Sequence, residues 1–225
     1  MHAMDLTMIL ILLTGFGLGL GHSLDPDHVV AVSTLLCNNT SLRKSITSAT
    51  AWGVGHSSVL FTVGICVLIL RVAIPETVVN LFEFAAGVLL IVLGALVLRP
   101  LIAEKIRTPQ KIGLEIPSHL TDSNLGHTHT HLHKSAVAGV LQGLGGSAAL
   151  MLVTLTTVST VEVGLVFILL LGVGVILGMV GIACLVGSLV AYTATNLEKI
   201  HKLIKAITGS ASVTFGFIII MRALV

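Results

Sequence analysis

Long apolar runs separated by short polar stretches make up most of this chain. Each run is long enough, as a helix, to cross a hydrocarbon core of about 30 Å. The pattern predicts an all-α, polytopic integral membrane protein, with a single domain over residues 1–225 and about six transmembrane segments. The predicted segments cover about residues 4–36, 52–71, 77–98, 136–157, 163–190 and 204–224.

The first run, 4–36, is too long for one straight span, because a continuous helix over it would rise about 50 Å. The Asp25-Pro26 step lies inside the run. Proline disfavours helix in the residue before it and suits the first turn of a new helix. We predict two helical pieces with a break near Gly21–Asp25. Because the first Lys or Arg is Arg43, the run lacks the basic start of a cleavable signal peptide.

The basic residues predict how the chain lies in the membrane. If the first run crosses once, the loops at 38–51, 99–135 and 191–203 share one side. Ten of the twelve Lys and Arg residues lie in or beside these loops, and Arg71 and Arg222 lie on the other side. By the positive-inside rule, we expect a multi-pass protein of the cell membrane with these loops in the cytoplasm and both termini outside.

Glycine patterns recur in the same order in two halves of the chain, at about 4–98 and 136–225. With three spans in each half, the halves would be inverted repeats, which is a known transporter plan. Close packing of helices is the alternative explanation for these glycines. The matched pairs are GLGHS at 19–23 with GLGGS at 143–147, Gly53/Gly55 with Gly172/Gly174, and Gly87/Gly94 with Gly209/Gly216.

The composition supports a membrane protein with no soluble domain attached. Hydrophobic residues make up 55% of the chain, charged residues make up 10%, and the mean hydropathy is +1.06. A soluble domain has about 25% charged residues. The three cysteines form no CxxC pair, so we interpret them as small apolar residues of helices. We expect membrane lipids around the protein and no nucleic-acid partner.

The broken first run carries four ionisable side chains, His22, Asp25, Asp27 and His28. A charged group at mid-bilayer costs about 2.5–3.5 kcal/mol, and this run contains no Lys or Arg to neutralise the acids. Imidazole and carboxylate groups together suit nickel, cobalt or zinc. We therefore predict a metal site at the break, with a buried His–Asp network without metal as the alternative.

The predicted break decides how these four side chains meet. It would turn His22 toward Asp27 and His28, and it would free backbone carbonyls near residues 18–21 to attract a cation. Asp25 also suits the N-cap of the second helical piece. We therefore rank Asp27 above Asp25 as a metal ligand.

Two other spans contribute candidate residues. Trp52 is expected at the cytoplasmic interface, where tryptophans of membrane proteins are enriched. His56 lies about one turn deeper and would either complete the metal site or form an inner exit step, with a hydrogen-bonded packing role as the alternative. Glu83 lies about two turns inside the third segment and is a candidate pathway residue, because acids are rare within spans.

Two short motifs carry a family resemblance. His22, Asp27 and His28 have the form HX4DH, and residues 55–57 read GHS. Both motifs resemble those of the nickel/cobalt transporter family. Residues 139–150 and Glu83-x3-Gly87 are similar to segments of its compact six-span branch, the urease-accessory-type nickel permeases. The resemblance covers most of the chain. It implies secondary transport of Ni²⁺ or Co²⁺, for which the HX4DH residues and His56 are needed.

The third loop contains alternating histidines that suit metals by composition. In an extended chain they would share one face, and on the predicted topology they would receive, buffer or sense the ion in the cytoplasm. A solvated loop without a specific role is the alternative, and such loops also occur in nickel/cobalt efflux proteins. These residues are His127, His129, His131 and His133.

The N-terminus offers another candidate. The α-amine, the backbone amide and the imidazole of His2 together give a planar set of nitrogens, which suits nickel(II) or copper(II). The MHxM start resembles that of the membrane substrate-binding subunit of multi-subunit, energy-coupling-factor importers. An ordinary chain end at the outer surface is the alternative.

These patterns predict a transporter rather than an enzyme, since the HExxH helix of metalloproteases is missing. Ni²⁺ or Co²⁺ would be the transported substrate and would enter the cell through a His/Asp site near the midplane. The alternatives are the metal-binding subunit of an ATP-driven importer and a nickel/cobalt exporter. A cytoplasmic nickel chaperone or ATP-driven subunits are the protein partners that this interpretation implies.

Overall fold

The computed structural model describes residues 2–37, 41–71, 74–106, 127–145 and 160–225, without the side chains of 2–8, 104–106 and 127–131. The described residues form helices joined by turns, and no strand occurs among them. The predicted all-α, polytopic membrane fold is confirmed. The helices are α1 (His2–Ser23), α2 (Pro26–Leu36), α3 (Leu42–Leu70), α4 (Glu76–Ile106), α5 (His127–Leu141), α6 (Val161–Asn196) and α7 (Glu198–Ala223).

Four single helices, α3, α4, α6 and α7, are long and apolar enough to cross a membrane. The pair Ile9–Ser23 and Pro26–Leu36 passes the same test as one broken span, bent by 58°. The described residues therefore give up to five candidate spans where six were predicted. The predicted fourth segment, 136–157, is not one continuous helix, because α5 ends at Leu141 before a turn that contains Gly143 and Gly145. Residues 146–159 lie outside the described chain.

Several helices extend beyond the predicted apolar runs. Most of the predicted loop at 38–51 is helical, since α3 begins at Leu42. The predicted loop at 191–203 shrinks to Leu197, which separates α6 from α7. Hydropathy marks only the part of a helix that lies in hydrocarbon, whereas Lys, Arg and Glu are good helix formers that continue the helix into the polar layer. This explains why the helices extend beyond the predicted spans.

The break in the first span lies where it was predicted. α1 ends at Ser23, and α2 begins at Pro26 after Asp25, whose ψ of 140° is the extended conformation that a following proline favours. The freed carbonyls that we expected to attract a cation are used locally. The Leu20 carbonyl accepts from the Ser23 hydroxyl at 2.6 Å, and the Gly21 carbonyl accepts from the Leu24 amide at 2.9 Å.

Glycines allow the bent first span and α5 to lie directly against α6 and α3. A Cβ at Gly19 would clash with the carbonyl of Leu171, and a Cβ at Gly174 would lie 3.0 Å from the backbone nitrogen of Leu20. On the other side, Gly139 leaves no room for a Cβ beside the Trp52 carbonyl. Small residues in these contacts let the backbones approach closely, as is typical of membrane helices.

α4 and α7 pack against each other through four glycines in antiparallel register. A Cβ at Gly216 would lie 2.6 Å from the Gly87 carbonyl, and a Cβ at Gly94 would lie 2.6 Å from the Gly209 carbonyl. These are glycines that match between the two proposed halves, so each contact joins one half to the other. The division into repeat halves at 4–98 and 136–225 stays a prediction.

The contacts bring the basic helix ends together. Ser45, near the start of α3, packs against Gly187 near the end of α6. Leu98, near the end of α4, packs against Gly209 of α7. One end of the molecule therefore carries Arg43, Lys44, Arg99, Lys199, Lys202 and Lys205, and the opposite end carries Arg71 and Arg222. This separation matches the charge asymmetry in the sequence.

The glycine contacts generate a stability prediction for two neighbouring positions of α1. Gly19→Ala should destabilise the protein by about 1–3 kcal/mol, because its Cβ has no space beside α6. Gly17→Ala is the matched control, since nothing lies within 4 Å of a Cβ at Gly17. Thermal unfolding of the purified proteins in detergent measures both effects. Equal unfolding temperatures for the two variants would contradict the described α1–α6 contact.

Candidate metal centre

The break in the first span brings two histidines together. His22 lies in the last turn of α1, and His28 lies in the first turn of α2. In an unbroken helix the two side chains would point about 120° apart around the axis. In the structure their ring centroids are 4.5 Å apart, and both side chains are fully buried. The bend therefore turns two distant helix faces into one pocket.

Each of the two aspartates of the break is hydrogen-bonded to the Nδ1 atom of one imidazole. Asp25 Oδ2 lies 2.9 Å from His22 Nδ1, and Asp27 Oδ2 lies 2.8 Å from His28 Nδ1. An ionised carboxylate only accepts hydrogen bonds, so each Nδ1 donates its proton to an aspartate. This fixes the ring orientations and leaves the Nε2 atoms as electron-pair donors, an arrangement common behind metal-binding histidines.

The carboxylates of both aspartates make hydrogen bonds to the histidines. Asp27, which the sequence ranked above Asp25 as a metal ligand, bonds to His28 Nδ1, and that ranking stays a prediction. Asp25 stands at the N-cap position of α2, yet its side chain makes no capping hydrogen bond and bonds to His22 instead. Both acids therefore contact the predicted metal centre through an imidazole.

His56 of α3 joins the two histidines of the break. Its Nε2 lies 3.1 Å from His22 Nε2, and its ring centroid lies 4.9 Å from that of His28. One nitrogen from each of the three residues lies within 4.8 Å of the others. Of the two positions left open by the sequence, the structure places His56 within the cluster rather than apart from it.

The donor set of this cluster fits a divalent transition-metal ion. His28 Nε2 and His56 Nδ1 are buried and have no hydrogen-bond partner. An unpartnered buried polar atom costs about 1–3 kcal/mol, and such atoms call for an explanation. Metal–nitrogen bonds are about 2 Å long, so closure around an ion needs ring movements of about an ångström. Three imidazoles, two of which are hydrogen-bonded to carboxylates through Nδ1, suit nickel, cobalt or zinc.

Trp52 forms the floor of the cluster. Its ring stacks on His56 at a centroid distance of 5.3 Å and an interplanar angle of 12°, and it meets His28 edge-on at 5.2 Å. Only 1% of Trp52 is exposed, so its ring covers the imidazoles and keeps water away from one side of the cluster. Its position at the cytoplasmic interface stays a prediction.

A small cavity lies beside Asp27, the hydrogen-bond partner of His28, on the side of the molecule opposite to the basic helix ends. Its volume is about 50 Å³, and its charged lining residues are Asp27, Glu83 and Arg222. Glu83 is half-buried on α4, as the sequence suggested for a pathway residue, and Arg222 lies in the last turn of α7. Sequence analysis missed Arg222 as a cavity residue, although it was one of two basic residues on the side poor in positive charge.

The remaining candidates lie away from the cluster or outside the described side chains. The predicted loop 99–135 is partly helical, since α4 continues to Ile106 and α5 begins at His127. The single face of imidazoles was expected for an extended chain, whereas the backbone of 127–133 is helical, and in a helix alternate residues do not share a face. Metal binding by these histidines stays a prediction. His133 is exposed. The side chains of His2, His127, His129 and His131 are outside the described part of the structure.

Comparison with known proteins gives one informative relative. The urease accessory protein UreH of Bacillus sp. (strain TB-90) is 33% identical over 218 residues, which cover 96% of this chain and 92% of UreH. No protein-family profile matches the chain, and no solved structure matches it significantly. The likeness extends through both halves of the sequence, including the segment that carries the cluster.

The geometry generates a binding prediction that separates the histidines from the aspartates. His56→Ala should abolish nickel and cobalt binding, because it removes one of three converging nitrogens. Asp27→Asn should weaken binding about 10- to 100-fold, since it changes only the hydrogen-bond partner of His28 Nδ1. Equilibrium dialysis of the purified protein, prepared without a histidine tag, measures both affinities.

The control for this experiment is His201→Ala, which changes a histidine of α7 outside the cluster. All variants carry serine at positions 127, 129, 131 and 133, so that the alternating histidines do not bind the added ion. Unchanged affinity in His56→Ala, or an equal loss in His201→Ala, would contradict the assignment.

Proposed function

The chain belongs to the family of the urease accessory protein UreH, and from this premise we propose that it is a permease for divalent transition-metal ions. The observation that carries the proposal is the buried cluster of His22, His28 and His56 inside an apolar helical bundle. Ionisable groups are expensive in a membrane and mark ion pathways. A relative named as an accessory protein, together with the absence of an HExxH helix, favours transport over catalysis.

We infer the direction of the path from the charges and the cavity. The basic end of the molecule faces the cytoplasm by the positive-inside rule, which places both termini outside. The cavity lined by Asp27, Glu83 and Arg222 then opens toward the outer side. An incoming ion meets the two carboxylates first, loses its water, and exchanges it for the three imidazoles. This sequence corresponds to uptake into the cell.

The ion leaves the site when the surrounding helices move. His56 packs beside Gly139 of α5, and Ser23, next to His22, packs against Gly178 of α6. The cluster therefore belongs to the first half of the chain but is covered by helices of the second. In the proposed cycle the two halves rock against each other and expose the cluster alternately to either side, as in other transporters with inverted repeats.

We propose nickel as the first cargo to test and cobalt as the second. Nitrogen donors bind nickel more tightly than cobalt in the general order of affinities. The relative is also named for urease, a nickel-containing enzyme. This assigns the chain to the compact, urease-accessory-type branch of the nickel/cobalt transporters. The alternating histidines at 127–133 would receive the ion on the cytoplasmic side, before a chaperone or other carrier takes it.

Uptake of radioactive nickel by cells tests the central role of the cluster. His22→Ala and His28→Ala should each abolish uptake while the protein still reaches the membrane, because each removes a nitrogen that replaces water on the ion. His201→Ala should transport like the unchanged protein. Normal uptake by either cluster variant, at equal protein levels in the membrane, would reject the proposed function.

Transport by the purified chain in liposomes distinguishes the proposal from its alternatives. We expect the chain alone to move nickel down a concentration gradient. Binding without transport would identify a capture subunit of an ATP-driven importer. An exporter would instead be revealed by nickel sensitivity of cells that lack the gene, combined with unchanged accumulation at low external nickel.

The cavity generates a separate kinetic prediction for Glu83. Glu83→Gln should raise the nickel concentration needed for half-maximal uptake about tenfold, the low end of electrostatic effects on cation capture. Its effect on equilibrium binding at the histidines should be small. Glu76→Gln is the matched control, because it removes an exposed carboxylate from the same helix. Equal effects of the two substitutions would remove Glu83 from the entry path.

A further inference from the structure

Gln142 is a buried polar residue that the fold itself does not explain. Its side chain has 0% exposure, and both its carboxamide oxygen and its carboxamide nitrogen lack a hydrogen-bond partner. A carboxamide offers two donors and two acceptor lone pairs, and buried polar groups are paired in the great majority of cases. A structural role in packing alone would be filled better by leucine, which has a similar volume and no polar atoms.

The neighbours of Gln142 place it between the histidine cluster and the cavity. Gly139, three residues earlier, lies so close to α3 that a Cβ there would be 2.9 Å from the backbone nitrogen of His56. The Gln142 amide donates to the Gly139 carbonyl at 3.2 Å, so Gln142 continues the last turn of α5 directly after Gly139. Gly145, whose amide donates to the Gln142 carbonyl at 3.1 Å, lines the cavity together with Asp27. The backbone of Gln142 therefore lies between a residue packed against His56 and a residue of the cavity wall.

The chain reaches this point through a turn that resembles the break of the first span. α1 ends just after His22, and α5 ends at Leu141, just before Gln142. Each helix therefore stops inside the bundle beside a fully buried polar side chain. Backbone that turns at membrane depth is tolerated where it lines a cavity or a binding site.

We propose that the carboxamide oxygen of Gln142 is an additional ligand for the transported ion, next to the three histidines. This inference rests on the proposed function and deepens it. Three imidazoles leave at least one coordination position open on a nickel or cobalt ion. A neutral oxygen there completes the site without adding charge. It also provides a ligand for the ion between the cavity and the imidazoles during entry.

The test measures nickel binding and thermal unfolding on purified protein that lacks the histidines at 127–133. Gln142→Leu should weaken nickel binding roughly 10- to 100-fold, the range observed when groups around a metal site are lost. The metal-free protein should unfold at the same or a higher temperature, because an unpartnered polar group has been removed. The rise in unfolding temperature on adding nickel should shrink.

Two further variants separate a ligand from a packing residue. Gln142→Glu keeps an oxygen at the same position and should retain nickel binding better than Gln142→Leu. Ser212→Ala changes a fully buried residue of α7 that bonds to the Leu90 carbonyl, away from the cluster, and should leave nickel affinity unchanged.

Each outcome decides the proposal. Unchanged nickel affinity in Gln142→Leu would overturn it. So would a result in which Gln142→Leu and Gln142→Glu lose nickel affinity to the same extent and both also lose stability without metal. If the protein with intact His22, His28, His56 and Gln142 binds no nickel or cobalt, the proposed function itself fails. If that protein binds nickel and only the Gln142 result is negative, the function stands and the ligand assignment alone falls.

Discussion

The bend at Asp25-Pro26 imposes the central constraint on this molecule, because it places two carboxylates and two imidazoles inside an apolar bundle. Each carboxylate is bonded to the Nδ1 atom of one histidine, at 2.8–2.9 Å. These bonds orient the rings, but His28 Nε2 and His56 Nδ1 have no hydrogen-bond partner. A polar network that is only partly satisfied is costly in a low dielectric. In the proposed function a bound cation would relieve that cost, so the geometry that is costly without an ion would favour its binding.

The helix packing keeps this pocket narrow. Glycines at the contacts of α1 with α6 and of α5 with α3 allow backbones to touch directly, and Trp52 closes the pocket below the rings. Side chains larger than hydrogen at Gly19 or Gly139 would push the covering helices away and let water in. The α4–α7 pair forms another wall of the cavity, to which it contributes Glu83 and Arg222. The described part of the fold thus combines tight contacts around the cluster with a cavity that carries three charged side chains.

Local rules predicted much of this arrangement. The apolar runs located most of the helices, although not the end of α5 at Leu141, and the Asp25-Pro26 step located the break. The cost of buried charge drew attention to His22, Asp25, Asp27 and His28. The sequence left open where His56 lies, because its contact with His22 joins residues 34 positions apart. The roles of the aspartates and the burial of Trp52 also depend on contacts between helices. The observed helices are longer than the predicted spans, because charged helix formers continue the helices beyond the hydrocarbon layer.

X-ray diffraction from crystals of the nickel-loaded protein, collected on both sides of the nickel absorption edge, tests the central claim most directly. We expect one anomalous peak among the rings of His22, His28 and His56, about 2 Å from a nitrogen of each, with Asp25 and Asp27 still bonded to Nδ1. A cluster without a peak, while the imidazoles keep their contacts with one another and nickel binds elsewhere on the chain, would contradict it.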